Sequence, residues 1–192
     1  CDRQTRIEEY SRKCHWNHTD CQRSALRYNK MEQSGLRLPG MGTSTVSLSS
    51  YWYAQPKAYE TWMAEVFSDW SDNFSTEVKV SQRNYDAIAE PTARLPHIRI
   101  DYGNNQVLLG TEQNRHVNVI LTEENSLFFA GNWFVGDHTL KFGFDYAKND
   151  IYNYYGRNQN GYYRFSSLND FISGTPREYF YREPLPGGSY DD

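Results

Sequence analysis

Trp62-Met63-Ala64-Glu65-Val66-Phe67-Ser68-Asp69-Trp70-Ser71-Asp72-Asn73-Phe74-Ser75-Thr76-Glu77-Val78-Lys79-Val80-Ser81-Gln82-Arg83-Asn84-Tyr85 reads as two strands about a polar turn. Successive side chains of a strand point to opposite faces, so each run divides in two. In the first, Trp62, Ala64, Val66, Ser68 and Trp70 share one face, and Thr61, Met63, Glu65, Phe67 and Asp69 share the other. In the second, Phe74, Thr76, Val78 and Val80 oppose Ser75, Glu77, Lys79, Ser81 and Arg83. A three-residue turn at Ser71-Asp72-Asn73 pairs Trp70 with Phe74, Ser68 with Thr76, Val66 with Val78 and Ala64 with Val80, which brings both apolar sets to one side. Asn73 stands where such a turn takes a left-handed residue.

A second hairpin is built about Gly136-Asp137, a two-residue turn with glycine first. Here odd positions must meet even ones: Trp133 with Leu140, Gly131 with Phe142, Phe129 with Phe144. The apolar sets obey that parity, since Leu127, Phe129 and Trp133 match Leu140, Phe142, Phe144 and Tyr146, while Lys141, Gly143 and Asp145 face away. Taken alone the run 126–134 is ambiguous, because Phe128, Ala130 and Phe134 are also apolar; its partner settles the face.

The remaining sequence is long connections. Residues 86–116 carry Pro91, Pro96 and Gly103-Asn104-Asn105, and residues 154–192 are rich in Asn, Gly, Tyr and Pro. Residues 1–42 are polar, hold all three cysteines, close on Leu38-Pro39-Gly40-Met41-Gly42 and sustain no period of 2 or 3.6, so a loop is expected there. The run 43–59 is β-prone, with Pro56 marking a bend or an edge. Structureless connections of this length are foreign to a compact soluble domain. Outer-membrane barrels have them, with short turns on the periplasmic side and long loops outside.

The expected fold is therefore all-β: a partial antiparallel transmembrane β-barrel, an open curved sheet of about four to six strands with long extracellular loops. Hairpins span residues 43–153, with strands near 61–70, 74–85, 117–134 and 139–153, and residues 154–192 form an extracellular loop. Runs such as 106–109 and 162–165 are expected as barrel extensions or loop hairpins.

Composition fits this reading. Hydrophobic residues make up 38% of the 192 positions, thin for a conventional core. Aromatics make up 16%, so most apolar area lies on side chains that favour strands and wet interfaces. The net charge of −4 comes from 20 basic and 24 acidic residues, well mixed along the chain, which offers no basic field to a nucleic acid. No run approaches the roughly 20 apolar residues of a membrane helix, whereas barrel strands need only about 9–11 alternating ones. The chain begins Cys1-Asp2-Arg3 without an initiating Met or a signal peptide, and a barrel requires export, so an internal fragment is expected.

The cost of lipid-facing charge assigns the faces. Lys79 or Arg83 against lipid would cost about 2–4 kcal/mol each near the midplane, falling to about 0–1 near the interfaces. Glu65, Glu77, Lys79, Arg83, Lys141 and Asp145 are thus assigned to the lumen. Trp62, Val66, Phe74, Val78, Val80, Phe129, Trp133, Leu140, Phe142 and Phe144 are assigned to outer-membrane lipid. Trp70, Phe74 and Trp133 stand beside the turns, at the depth of an aromatic girdle. A soluble antiparallel sheet with one face on a core produces the same alternation. Its functional counterpart is a secreted β-sandwich that binds carbohydrate through exposed aromatics.

Gly136-Asp137-His138-Thr139-Leu140-Lys141-Phe142-Gly143-Phe144-Asp145-Tyr146 resembles the turn-and-strand phrase of TonB-dependent outer-membrane receptors, especially the Oar-like group. Glu112-Gln113-Asn114-Arg115-His116-Val117-Asn118, Asn149-Asp150-Ile151-Tyr152-Asn153 and Asn73-Phe74-Ser75-Thr76-Glu77 also resemble segments of that group's barrel. The resemblance runs over about residues 51–171; the N-terminal 45 residues have no counterpart in it. It implies a receptor with a barrel of about 22 strands, filled by an N-terminal plug, that imports nutrients on energy relayed by TonB. It further implies, as partners, outer-membrane lipid, the TonB complex acting through a plug that this sequence does not contain, and a small-molecule or peptide substrate.

Cys14-His15-Trp16-Asn17-His18-Thr19-Asp20-Cys21 sets two thiols and two imidazoles close together, a spacing able to ligate zinc. In an exported loop, a disulfide between Cys14 and Cys21 is the reading taken, with Cys1 paired outside the fragment or lipidated. His97, His116 and His138 lie far apart and are read as turn or interface residues. Asp101, Glu112, Glu123 and Glu124 form no spaced carboxylate pair. No phosphate loop, nucleophile elbow or zinc-protease motif occurs, so neither catalysis nor a cofactor is expected. The aromatic, Asn-rich run 152–165 is read as a solvated extracellular loop, with stacking on a sugar or peptide as the functional alternative.

Overall fold

The computed structural model describes residues 5–182. In chain order its elements are β1 (Thr5–Thr19), β2 (Gln22–Arg37), β3 (Thr45–Ser47), a single 3-10 turn (Ser49–Tyr51), β4 (Tyr53–Ala54), β5 (Lys57–Ser71), β6 (Phe74–Ile88) and β7 (Glu90–Pro91). Then follow β8 (His97–Tyr102), β9 (Asn105–Leu109), β10 (Val117–Val135), β11 (His138–Gly156), β12 (Tyr162–Phe165), α1 (Leu168–Ile172) and β13 (Glu178–Phe180). Six long strands make the main sheet in the order β11-β10-β6-β5-β2-β1, with antiparallel neighbours throughout. The short β4 and β7 extend one corner of it. Among the described residues β1 and β11 are each paired on one side, so the sheet is open.

The registers follow from the apolar pattern. Ala64↔Val80, Val66↔Val78 and Ser68↔Thr76 pair across β5 and β6, and Trp133↔Leu140, Gly131↔Phe142 and Phe129↔Phe144 across β10 and β11. Gly136 turns at φ 57° while Asp137 keeps a negative φ, the arrangement of a glycine-first two-residue turn. Pairing β6 to β10 through Val80↔Leu127 and Val78↔Phe129 brings the two apolar sets onto one face.

Two local expectations are corrected. The Phe74 turn is not a three-residue turn: Ser71 pairs with Phe74 across Asp72-Asn73, and a bulge at Trp70 restores the upstream register. Asn73 is not left-handed; among the described non-glycine residues only Asn158 has positive φ. Second, residues 5–37 are not a loop but a hairpin, β1 and β2, turning at Asp20-Cys21. Its own alternation is faint, because Glu8, Arg12, Lys30 and Glu32 interrupt the face that carries Tyr10, Cys14, Trp16, Leu26 and Tyr28. Pairing with β5 at Leu26↔Ala64 and Ser24↔Val66 supplies the order that local pattern lacks.

The short turns at 20–21, 72–73 and 136–137 lie at one end of the sheet, and their neighbours are bonded sideways. Asp69 N–H donates to Cys21 O at 2.7 Å, and Phe134 N–H to Asn73 O at 2.8 Å. At the other end the connections 38–56 and 89–116, together with the chain beyond Gly156, fold into a cap. The cap holds a second sheet in the order β13-β12-β8-β9-β3, with α1 set against β8 and β12. Runs 106–109 and 162–165, expected as barrel extensions or loop hairpins, both belong to it. The first does form a hairpin with β8, but β12 joins β8 in parallel, and β3 joins β9 in parallel. Residues 154–192 are likewise not plain loop, since β12, α1 and β13 lie within them.

Candidate functional site

The main sheet has two chemically different faces. Following the registers, Asp145, Phe128, Lys79, Glu65, Ala25 and His15 form one row across the sheet, and Glu77, Arg83 and Lys141 lie on the same face. All six residues assigned to the lumen therefore share a face. Salt bridges run along it. Glu65 is held by Arg27 at 3.0 Å and Lys79 at 3.8 Å, Lys79 also pairs with Glu77, and Arg83 meets Glu124 at 3.6 Å. Lys79 Nζ stands 5.1 Å from the centre of the Phe128 ring, and Arg23 4.9 Å from that of Phe67. The network stops short of Lys141 and Asp145, which stand exposed on the edge strand β11.

The opposite face is apolar over the rows nearest the turns. All ten residues assigned to lipid lie on it: Trp62 and Val66 on β5, Phe74, Val78 and Val80 on β6, Phe129 and Trp133 on β10, and Leu140, Phe142 and Phe144 on β11. Rings lie side by side along the turn end, with Phe129 5.9 Å from Phe144 and 6.3 Å from Phe142, centre to centre. Away from the turns the belt ends at Tyr146, Trp62, Tyr28 and Tyr10. Tyr28 contacts Trp62 at 4.2 Å and Tyr10 at 5.9 Å. Beyond that line the same face turns polar: Gln82 and Asn125 donate to Glu123, and Lys148 pairs with Asp150.

Exposure is inverted relative to a water-soluble sheet. Glu65 is 4% exposed, whereas the next residue, Val66, is 45% exposed and Val80, across the strand pair, 48%. The carboxylate of Glu65 is enclosed by Arg27 and Lys79, whereas the valines of the opposite face stand open. No helix among the described residues is long and apolar enough to cross a membrane.

The cysteine assignment is overturned. Cys14 and Cys21 are both free and exposed. Cys14 sits within β1 opposite Leu26, and Cys21 sits in the turn. An extended chain advances about 3.3 Å per residue, so their separation far exceeds the roughly 7 Å limit between bridged Cα atoms. The same extension spreads the zinc set: His15 is on the charged face, Cys14 on the apolar face, and His18 bonds Ser24 at 2.9 Å. Among the described residues no cluster of three metal-ligating side chains occurs. Cys1 lies outside the described residues.

Sequence reasoning missed the core of the cap. His97 is buried between Tyr162, stacked at 4.9 Å, and Tyr51, edge-on at 5.3 Å. His116 is buried as well; its Nδ1 accepts from Asn160 N–H at 2.9 Å, which leaves the ring proton on Nε2, 3.4 Å from Thr111 O. Burial, with His116, Arg99 and Arg157 adding, pulls the His97 imidazole down to about 4, and burial also lowers His116. Burial pushes the Glu112 carboxyl up, against the bonds it accepts from Asn114. His116 lies in polar, turn-rich sequence, and although Ile98 and Ile100 alternate with Arg99 and Asp101 after His97, the rings that cover His97 come from Tyr51 and Tyr162, so only long-range pairing could reveal the pair. No protein-family model, curated protein or solved structure matches the chain.

Proposed function

We propose that this chain is a section of the wall of an outer-membrane β-barrel of the TonB-dependent receptor kind, with its apolar face against lipid and its charged face toward the lumen. The single observation behind this reading is the inverted exposure of the two faces on the interior strands, with Val66, Val78 and Val80 bare and Glu65 enclosed. In water such a belt would be a large aggregation-prone patch. Against hydrocarbon it costs nothing, and the aromatic lines at Trp70, Phe74 and Trp133 and at Tyr146, Trp62, Tyr28 and Tyr10 match the two interfaces. The strands run to 19 residues in β10 and β11, well beyond the roughly 9–11 a membrane crossing uses. The excess lies on the cap side, where long strands hold a receptor's loops clear of the bilayer.

In this reading the partners are outer-membrane lipid, the TonB complex acting through a plug, and a small-molecule or peptide substrate met by the cap and the lumen. The role is nutrient uptake by the assembled receptor. A secreted carbohydrate-binding β-sandwich would need its apolar face covered by a second sheet, and the bare belt argues against that.

The test is labelling of Cys14 and Cys21, with Cys1 replaced by Ser, after refolding into lipid vesicles. A charged maleimide should modify Cys21, in the turn, and spare Cys14, in the belt; dissolving the vesicles in sodium dodecyl sulfate should expose both. Equal modification of both in intact vesicles, or ready solubility as a monomer without detergent, would overturn the membrane reading.

A further inference from the structure

Within the cap, the turn 157–161, through which β11 passes into β12, is bonded to the 97–116 segment. Four bonds hold this turn to its surroundings. Asn158 N–H donates to Gln113 O at 3.0 Å, Asn160 N–H to His116 Nδ1 at 2.9 Å, His97 N–H to Gly161 O at 3.0 Å, and Arg157 to Gln113 Oε1 at 2.9 Å. Two of the four thus end on a histidine, one on its ring and one on its backbone. Tyr51 of the first connection, His97 and His116 of the second, and Tyr162 beyond β11 meet here, so all three long segments converge on the two imidazoles.

We propose that His97 and His116 form a proton-operated clasp: when both rings take up protons, the 157–161 turn and β12 release from the 97–116 segment while the long hairpins stay folded. The geometry leaves a second proton no place. On His116 it must go to Nδ1, the atom that accepts from Asn160, turning an acceptor into a donor facing a donor. On His97 the Nδ1 atom is buried without a partner, so a proton there would be charged, desolvated and unbonded.

One group around the pair favours a proton, the Thr111 carbonyl facing His116 Nε2, and burial outweighs it. Tyr51 and Tyr162 present rings to His97, and Thr111 O and Asn160 N–H meet His116. Arg99, Arg157 and His116 all oppose a proton on His97. Glu112, next to Arg115 and Arg157, is itself pushed toward neutrality by burial, so acid also erases that negative charge. Protonation of clustered histidines is a known means by which pH opens a packed interface.

Hydrogen exchange of the full chain in detergent micelles tests this, with rates corrected for the chemical effect of pH. Between pH about 6.5 and about 4, peptides covering residues 155–165 should lose on the order of a hundredfold of protection, while peptides within β6 and β10 keep theirs. In the pair H97F and H116N, where Phe keeps the ring stack and Asn keeps an acceptor, the cap should no longer respond to pH in that window. Unchanged protection of 155–165 in the wild type, simultaneous opening of the hairpins, or a double variant that opens as the wild type does would each overturn the clasp. If the double variant has no protected cap at neutral pH, ring titration in the wild type decides. Both rings titrating in step with cap opening supports the clasp; rings titrating near their ordinary value with the cap still protected overturns it. The readout lies in the cap amides, so it stands apart from the membrane reading.

Discussion

His18 and Trp70 occupy the same place in successive hairpins. Each is the bulged residue two positions before a two-residue turn, and each joins a ring nitrogen to a hydroxyl across the strand pair, His18 to Ser24 and Trp70 to Thr76, both at 2.9 Å. The next residue, Thr19 or Ser71, accepts from the backbone N–H two positions on, at 3.2 and 3.3 Å. The turns are therefore one device used twice, with the phrases His18-Thr19-Asp20 and Trp70-Ser71-Asp72 in equivalent roles. Replacing His18 by Trp should preserve stability within about 0.5 kcal/mol, whereas His18→Ala and Trp70→Ala should each cost about 1 kcal/mol, as read from urea unfolding in lipid vesicles.

Arg27 ties the first hairpin to the second through Glu65, the enclosed carboxylate of the charged face. Arg27→Met would leave that carboxylate with Lys79 at 3.8 Å as its remaining cation, and a loss of about 2–3 kcal/mol is expected. Glu65→Gln should cost less than that, because an amide needs less compensation than a charge. The same unfolding measurement compares the two, and equal losses would mean that the pair acts through packing alone.

Val78 lies in the middle of the apolar belt, between Val66 and Phe129. Val78→Arg should cost about 2–4 kcal/mol in lipid vesicles, and Asp145→Arg, on the charged face of the edge strand, less than about 1 kcal/mol. Equal effects at the two positions would contradict a lipid-facing belt.

Gly110 turns at φ 81°, and a Cβ there would come within 1.8 Å of the Pro96 carbonyl oxygen. Backbone cannot move aside as a side-chain tip can, so Gly110→Ala should cost at least about 3 kcal/mol in the cap. Exchange protection should vanish at residues 97–109 and persist in β5 and β6.

The pH dependence of the cap follows from His97. Its value falls from 6.5 to about 4 on folding, so between those pH values the opened cap binds a proton that the closed cap does not. Stability therefore falls as pH drops through that window and levels off below it. The depression is worth about 3 kcal/mol at about 1.4 kcal/mol per unit. H97F should flatten most of the dependence; a cap whose stability rises toward acid would contradict the sign.

The two hairpins about 72–73 and 136–137, their registers away from the turns, and the division of Glu65, Lys79 and Asp145 from Val66, Val78 and Phe144 are all legible in the order of residues. Period-2 alternation is local, and one residue of slip would reverse every side chain, so the pattern carries its own check. Tertiary structure decided what alternation does not encode. The β1–β2 hairpin is ordered by β5, because its own faces are too evenly charged to declare themselves. Cys14 and Cys21 are parted by the extension of β1, which spacing in sequence cannot reveal. The cap depends on pairings such as Val46 with Val107 and Tyr162 with His97, between segments about 60 residues apart. Its histidines acquire their chemistry only when three connections close around them and exclude water.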